Sequence, residues 1–365
     1  MQIGFVAEPY EESHASGMGY VVLELMRGLS ALAAEQGHEF IIYSSRPVSR
    51  AIIRSPFTNV IIPRGFVRTW LWFLRPAPSP DVLLYIAPLL PLWLPRRVRG
   101  VMVCQELASQ KTPVEGFRER AYAFLRDRVL MPRSLARAAK IIAASHATKS
   151  DIHEFYAVND RKVVVVYDGY QDMRVYAKEA PALDPSLGPF FFFAGKVKPR
   201  KNVHGIVSAF VSFKERIKTD CKLVIAGDCG GAYCEGLKAV IREHGFEGDV
   251  VFAGYAAGPR LYSFYASALA LVFPSFNEGF GMPPVEAMSM GLPVITSKIS
   301  SMGEVAGDAA LLVDPYDTED IRRAMERIYT DAPLREALIA KGRERAKFFS
   351  WNKAARECMD LIQSL

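Results

Sequence analysis

Short, unbroken apolar runs alternate with stretches of helical periodicity along almost the whole chain. In the first half the runs IGFVAE, FIIYSS, VLLYIA, VMVCQE, KIIAAS and KVVVVYDG stand out. They lack the strict polar–apolar alternation of a sheet with one wet face, so they read as strands covered on both sides by the periodic segments between them. A helix from about Gly19 to Ala34 follows the first run. The segment AKEAPALDPSLGP, residues 177–189, has no sustained period and reads as a linker. A second series then begins with FFFFAGKV and continues through CKLVIAGD, VVFAGY, ALALVFPS, LPVITS and ALLVDP. The pattern predicts an α/β protein of two Rossmann-like domains facing across a cleft, with ligand expected at the carboxyl ends of their strands. Boundaries are expected at 1–180 and 181–349. The amphipathic segment 350–365 reads as a helix packing back toward the first domain.

A chain of 365 residues, 50% hydrophobic, is long enough for two such cores. The formal charge of +6 is uneven: residues 51–150 are strongly basic and the first fifty are acidic. An anionic partner fits that distribution, a phosphate or an anionic membrane surface, and no nucleic acid is expected. The most apolar stretch, residues 69–97, is interrupted by Arg75, Asp81 and repeated prolines. Its longest uncharged run, Val82 to Pro95, is shorter than the ~20 residues that cross a bilayer. Trp70, Trp72, Phe73 and Trp93 among Arg64, Arg68, Arg75, Arg96 and Arg97 fit a membrane surface; a helix and strand of the first core are the other reading. The five cysteines are odd in number and argue against a disulfide framework, and Cys229 and Cys234 have no second pair at zinc spacing, so no metal is expected. With a strand beginning at Met1 there is no room for a signal peptide, and the expected location is cytoplasmic.

Two clusters carry chemistry. Strand FFFFAGKV runs into KPRKN and then a helix, which places Lys196, Lys198, Arg200 and Lys201 beside a helix N-terminus, a site for phosphate. In SFNEGFGMPPVEAM, two glutamates flank a glycine- and proline-rich turn. Gly279 and Gly281 let backbone amides approach a ligand, and Pro283 and Pro284 suit a first helical turn, with the amides of Val285 and Glu286 directed into the cleft. Glu278 and Glu286 read as acceptors for hydroxyl groups.

These residues, with EVAGDAALLVDP beyond them, resemble the donor-binding half of the retaining glycosyltransferases of family 4, which have the GT-B fold. The resemblance covers most of residues 190–345. It implies that Glu278 contacts the transferred sugar, Glu286 the ribose hydroxyls and the Phe280–Met282 backbone the hexose. Arg200 and Lys201 would hold the diphosphate, and the loops near Gly227 and Gly254 the nucleobase. In the first half, Gly17 and Gly19 resemble the family's glycine-rich loop near the donor phosphate and acceptor, with His14 just before it. Where many relatives carry His-Asp, this chain has Gln105 and Glu106; Gln105 can bond a sugar hydroxyl but cannot act as a base. The likeness is greatest to bacterial mannosyltransferases of surface-polysaccharide assembly. It implies hexose transfer, with GDP-mannose as the co-substrate, no other cofactor, no metal dependence, and a saccharide or lipid-linked saccharide acceptor.

Other readings are a UDP- or other nucleotide-sugar donor, a glycoside hydrolase using the two glutamates, and a non-catalytic nucleotide-binding relative. A hydrolase has no diphosphate for KPRKN to hold. His146 and His204 are expected near helix starts and have no assigned chemistry.

Overall fold

The computed structural model describes residues 1–8, 17–63, 80–86, 89–91, 94–107 and 117–365, without the side chains of 117–120. His14 and the aromatic residues Trp70, Trp72, Phe73 and Trp93 lie outside the described residues. The chain divides into two units, one formed by Met1–Gly169 with Ser350–Leu365 and the other by Tyr170–Phe349.

The first unit holds a parallel sheet of β1 (Gln2–Val6), β2 (Glu39–Ser44), β3 (Thr58–Ile61), β4 (Val82–Tyr85), β5 (Arg99–Cys104), β6 (Lys140–Ala143) and β7 (Val163–Val165). Their order is β3-β2-β1-β4-β5-β6-β7. β1, β4 and β5 are almost wholly buried, which explains their continuous apolar runs. β3 is absent from the predicted strands because it is a short edge strand whose residues are half-buried or exposed. Helix Gly17–Glu35 follows β1. Helix Phe117–Leu125 passes through one π-helical turn, Arg126–Leu130, into Met131–Arg137. Pro132, which lacks an amide hydrogen, stands just beyond that turn and disturbs the regular ladder there.

The last helix, Trp351–Gln363, lies on helix Gly17–Glu35, as its amphipathic pattern predicts. Small residues permit the approach: a Cβ on Gly28 would stand 2.5 Å from the Ala355 Cβ. Tyr20 packs edge-on to Trp351, with ring centroids 5.9 Å apart.

The second unit has β8 (Phe190–Ala194), β9 (Lys222–Ala226), β10 (Val250–Gly254), β11 (Ala270–Phe273), β12 (Val294–Ser297) and β13 (Leu311–Val313). All pair in parallel in the order β10-β9-β8-β11-β12-β13. Phe190, Phe191, Phe192 and Phe193 are all fully buried because helices cover both faces of the central strand. The chain leaves β8 toward β9 on one side and returns to β11 on the other, so β8 and β11 flank a topological switch point. Ligands of open α/β sheets bind outside the strand ends at such a point.

Residues 170–180 pack with the second unit, some ten residues before the expected boundary. Met173 is fully buried, and the Gln171 side-chain amide donates to the Tyr176 hydroxyl at 2.8 Å. The cysteines differ from expectation too: Cys229 and Cys234 form a disulfide. Their glycine-rich turn between β9 and helix Gly231–Glu243 brings the two Cα atoms to 5.6 Å, within bridging range. It is a local bridge, and Cys104, Cys221 and Cys358 are buried thiols.

Candidate active site

At the switch point of the second unit, the segments leaving β8 and β11 meet. After β8 the chain makes one 3-10 turn, Pro199–Lys201, and then takes a left-handed residue, Asn202, with φ 56° and ψ 35°, before helix Val203–Ile217. Asparagine tolerates that conformation better than most residues. Its fully buried side chain donates to the carbonyls of Pro274 at 3.2 Å and Pro315 at 2.7 Å. One residue thereby ties together the loops after β8, β11 and β13. A close neighbour enforces this: a Cβ on Gly205 would lie 2.4 Å from the Asn202 Oδ1.

Arg200 and Lys201 are thus held against the loop after β11. Lys201 Nζ is 2.5 Å from Glu278 Oε1, and Arg200 Nη1 is 3.1 Å from Glu278 Oε2. Arg200 also donates to the Asn277 carbonyl at 2.9 Å, while its own carbonyl accepts from the Phe276 amide at 2.9 Å. Lys201 stands 4.6 Å above the Phe273 ring. Burial disfavours charge on Glu278, but Lys201 and Arg200 outweigh it and hold the carboxyl below the usual carboxylate range. This is a fixed anion between two cations.

A pair of serines fixes the Glu278 backbone. The Ser300 hydroxyl accepts from the Glu278 amide at 3.1 Å, with Asn277 Oδ1 at 3.0 Å and the Glu278 carbonyl at 2.9 Å available to its proton. Ser301 donates to the Glu278 carbonyl at 2.9 Å, and the Phe280 carbonyl is 3.2 Å away. Ser300 itself has φ +56°, an unfavourable backbone conformation for serine, held by these bonds.

Beyond Glu278, Gly281 has φ +94° and starts helix Met282–Met290. The Phe280 ring is buried edge-on to Phe349 at 5.2 Å, so only its backbone can face a ligand. Val285 is fully buried. Glu286 lies just past the first helical turn, 9% exposed, and Tyr265 donates to its Oε2 at 2.8 Å. Burial pushes its pKa up to about 7, opposed by the bond from Tyr265 and by the Gln171 backbone. The two glutamates therefore differ sharply in charge: Glu278 is locked as an anion, and Glu286 is poised near neutrality.

Gly227 follows β9 and Gly254 ends β10. A Cβ on Gly227 would stand 1.9 Å from the Gly195 carbonyl oxygen, so close packing of two loops requires glycine there. Gly254 has φ +68°. In the first unit, Gly17 and Gly19 open helix Gly17–Glu35, with Gly17 exposed and Gly19 buried. Gln105 follows β5 and donates to Asp168 Oδ1 at 3.2 Å, while its carbonyl accepts from Thr148 at 3.2 Å. Burial raises the Asp168 pKa to about 7, opposed by that bond. Glu106 is half-buried beside it.

The structure thus brings Arg200, Lys201 and Glu278 into direct contact and sets Glu286 on the adjoining helix. Asn202, Ser300, Ser301, Tyr265 and Asp168 were not anticipated. An asparagine after PRK and a serine pair before a helix are recognisable local signals; Tyr265 and Asp168 have none.

Residues 179–345 match the family described as Glycosyl transferases group 1. The O-antigen chain mannosyltransferase B of Escherichia coli is 33% identical over 176 residues, which are 48% of this chain and 46% of that protein. The chain spans about half the length of that protein, and 22% of the serotype-specific mannosyltransferase WbdA of the same organism. The sucrose-phosphate synthase of Thermosynechococcus elongatus superposes with a TM-score of 0.76 at 18% identity, over 100% of this chain and 98% of that one. Anabaena HepE in complex with UDP-glucose gives 0.76 at 15% identity, over 100% of both chains. At these identities the likeness shows the fold, which is GT-B.

Proposed function

We propose, from the premise that residues 179–345 are a domain of the glycosyl transferases group 1 family, that this protein moves a hexose from a nucleotide sugar to a saccharide in cell-surface polysaccharide synthesis. The observation that carries the reading is the Arg200–Lys201–Glu278 cluster at the β8/β11 switch point. A diphosphate arriving beside helix Val203–Ile217 finds two fixed cations and the positive end of a helix. In sharing those cations, it leaves Glu278 able to accept from hydroxyls of the transferred sugar.

The reaction we favour retains configuration. The bond from the sugar C1 to the diphosphate oxygen breaks with its electron pair going to that oxygen. The acceptor oxygen bonds C1 on the same face, and its proton passes to the departing phosphate oxygen. No side chain needs to act as base, which accommodates glutamine at position 105. Arg200, Lys201 and the helix end stabilise the leaving charge, a contribution typically worth ~100- to 1000-fold in rate per donor. These cations can supply the charge that a divalent metal supplies elsewhere, so we expect turnover without added divalent metal.

Mannose from GDP-mannose is the donor we favour, supported by the likeness to an O-antigen mannosyltransferase. A lipid-linked acceptor at the cytoplasmic face of the membrane fits the first unit. There Tyr122, Phe124 and Leu125 are exposed beside the exposed Arg128 and Arg133, a mixture suited to an anionic bilayer surface. No helix among the described residues is long and apolar enough to cross a membrane. Sedimentation with anionic vesicles at low salt, reversed by added salt, is expected; its absence refutes the membrane part.

The test of the reading is a metal-free melting panel with GDP, UDP, ADP, CDP and TDP. A ligand bound only by the folded state raises the melting temperature by mass action. We expect a clear rise with GDP. No rise with any of the five would refute nucleotide-sugar binding at this site.

A further inference from the structure

Glu286 is held by a group outside the Arg200–Lys201–Glu278 cluster. Tyr265, on helix Gly258–Ser267, is 1% exposed, and its ring packs edge-on to Phe192 of β8 with centroids 5.2 Å apart. That packing fixes where its hydroxyl points, and the hydroxyl donates to Glu286 Oε2 at 2.8 Å. The Gln171 backbone, from the segment that opens the second unit, also favours the charged form of the carboxylate. A glutamate's terminal torsion is broad, and an untethered carboxylate swivels. With Oε2 engaged by the fixed Tyr265 hydroxyl, that swivel is restricted and Oε1 is left for a ligand.

We propose that Tyr265 is a positioning residue for nucleotide recognition: its hydroxyl orients the Glu286 carboxylate to receive the two vicinal hydroxyls of the donor's ribose. The inference rests on the reading above that Glu286 meets the ribose. Tyr265 touches no substrate and acts through Glu286. It also explains why a buried tyrosine, rather than phenylalanine, stands in an otherwise aromatic cluster with Phe190, Phe192 and Phe264.

The experiment uses the full chain and two pairs of probes, GDP with 2′,3′-dideoxy-GDP and UDP with 2′,3′-dideoxy-UDP, titrated calorimetrically. Wild-type protein should bind one of the two parent nucleotides and prefer it to its dideoxy form. Tyr265→Phe should weaken the parent nucleotide about tenfold, within the range for one hydrogen bond to a charged group. It should leave the dideoxy analogue within twofold and raise KM for the sugar nucleotide with little change in kcat. In a Glu286→Gln background, Tyr265→Phe should have less than a twofold further effect. This background holds no buried carboxylate that the change could strand, so it also serves if the single variant melts early. Equal weakening of parent and dideoxy nucleotides, or the same loss in both backgrounds, would show that Tyr265 only supports the fold. Failure of the wild type to bind either nucleotide would instead overturn the reading of the site itself.

Discussion

Replacing Glu286 with glutamine should make the ligand-free protein more stable at alkaline pH while weakening its grip on nucleotide. The carboxyl is buried, and its pKa rises from 4.5 to about 7 in the folded state. Because the folded form holds its proton more tightly than the unfolded chain, the stability contributed is fully present below about 4.5 and is lost as pH rises through about 7. By pH 8.5 the shift amounts to about 3 kcal/mol of penalty carried by the charged form. Glutamine has nearly the same shape, can still accept from Tyr265, and never ionises. For a unit the size of residues 170–349, that difference should appear as a gap of about 6–10 °C in melting temperature. The assay is a pair of melting series for wild type and Glu286→Gln, without ligand, from pH 5 to pH 8.5. The gap should be smallest at pH 5, open between pH 5 and pH 7, and level off above pH 7, with the variant higher. Asp168, whose pKa is also raised by burial, is present in both proteins and cancels in the difference. Parallel curves over the whole range would refute the assignment of a buried, partly neutral carboxyl at 286.

Lys201→Ala leaves Glu278 buried with one cation in place of two and should destabilise the protein by about 3 kcal/mol in urea unfolding. Adding Glu278→Gln should recover most of that loss; additive losses would mean that the pair is not coupled. Gly28→Leu should cost about 1–3 kcal/mol by forcing helix Trp351–Gln363 off its seat on Ala355, and should expose that helix to trypsin. Unchanged melting and proteolysis would show that the last helix is not docked where Gly28 meets it.

The strands were legible because burial on both faces leaves a mark that needs no partner to interpret: Phe190, Phe191, Phe192 and Phe193 can hardly be anything but a covered central strand. Thr58–Ile61 escaped because an edge strand with exposed residues carries no such mark. Arg200, Lys201 and the two glutamates were visible as residue types in a recognisable turn. That Glu278 would sit directly on the two cations was not, because it depends on Asn202 drawing three loops together across the sheet. The contrast between the two glutamates was hidden for the same reason. It comes from burial, which raises Glu286 against the opposing bond from Tyr265, and from Lys201 and Arg200, which hold Glu278 down, and none of these is set by residues near in sequence to the glutamate concerned. The Cys229–Cys234 bridge was missed because an odd total argues against a framework of bridges but says nothing of one local pair.

The central claim is that a nucleotide sugar reacts where Glu278 meets Arg200 and Lys201. The direct measurement is transfer of radiolabelled mannose from GDP-mannose into a lipid-linked saccharide fraction, by wild type and by Glu278→Gln, with nucleotide affinity measured on the same preparations. The account predicts incorporation by wild type, and a loss of at least ~100-fold in the variant, as for removal of a group that stabilises the transition state, with GDP affinity kept within a few-fold. Equal incorporation by the two proteins would contradict it.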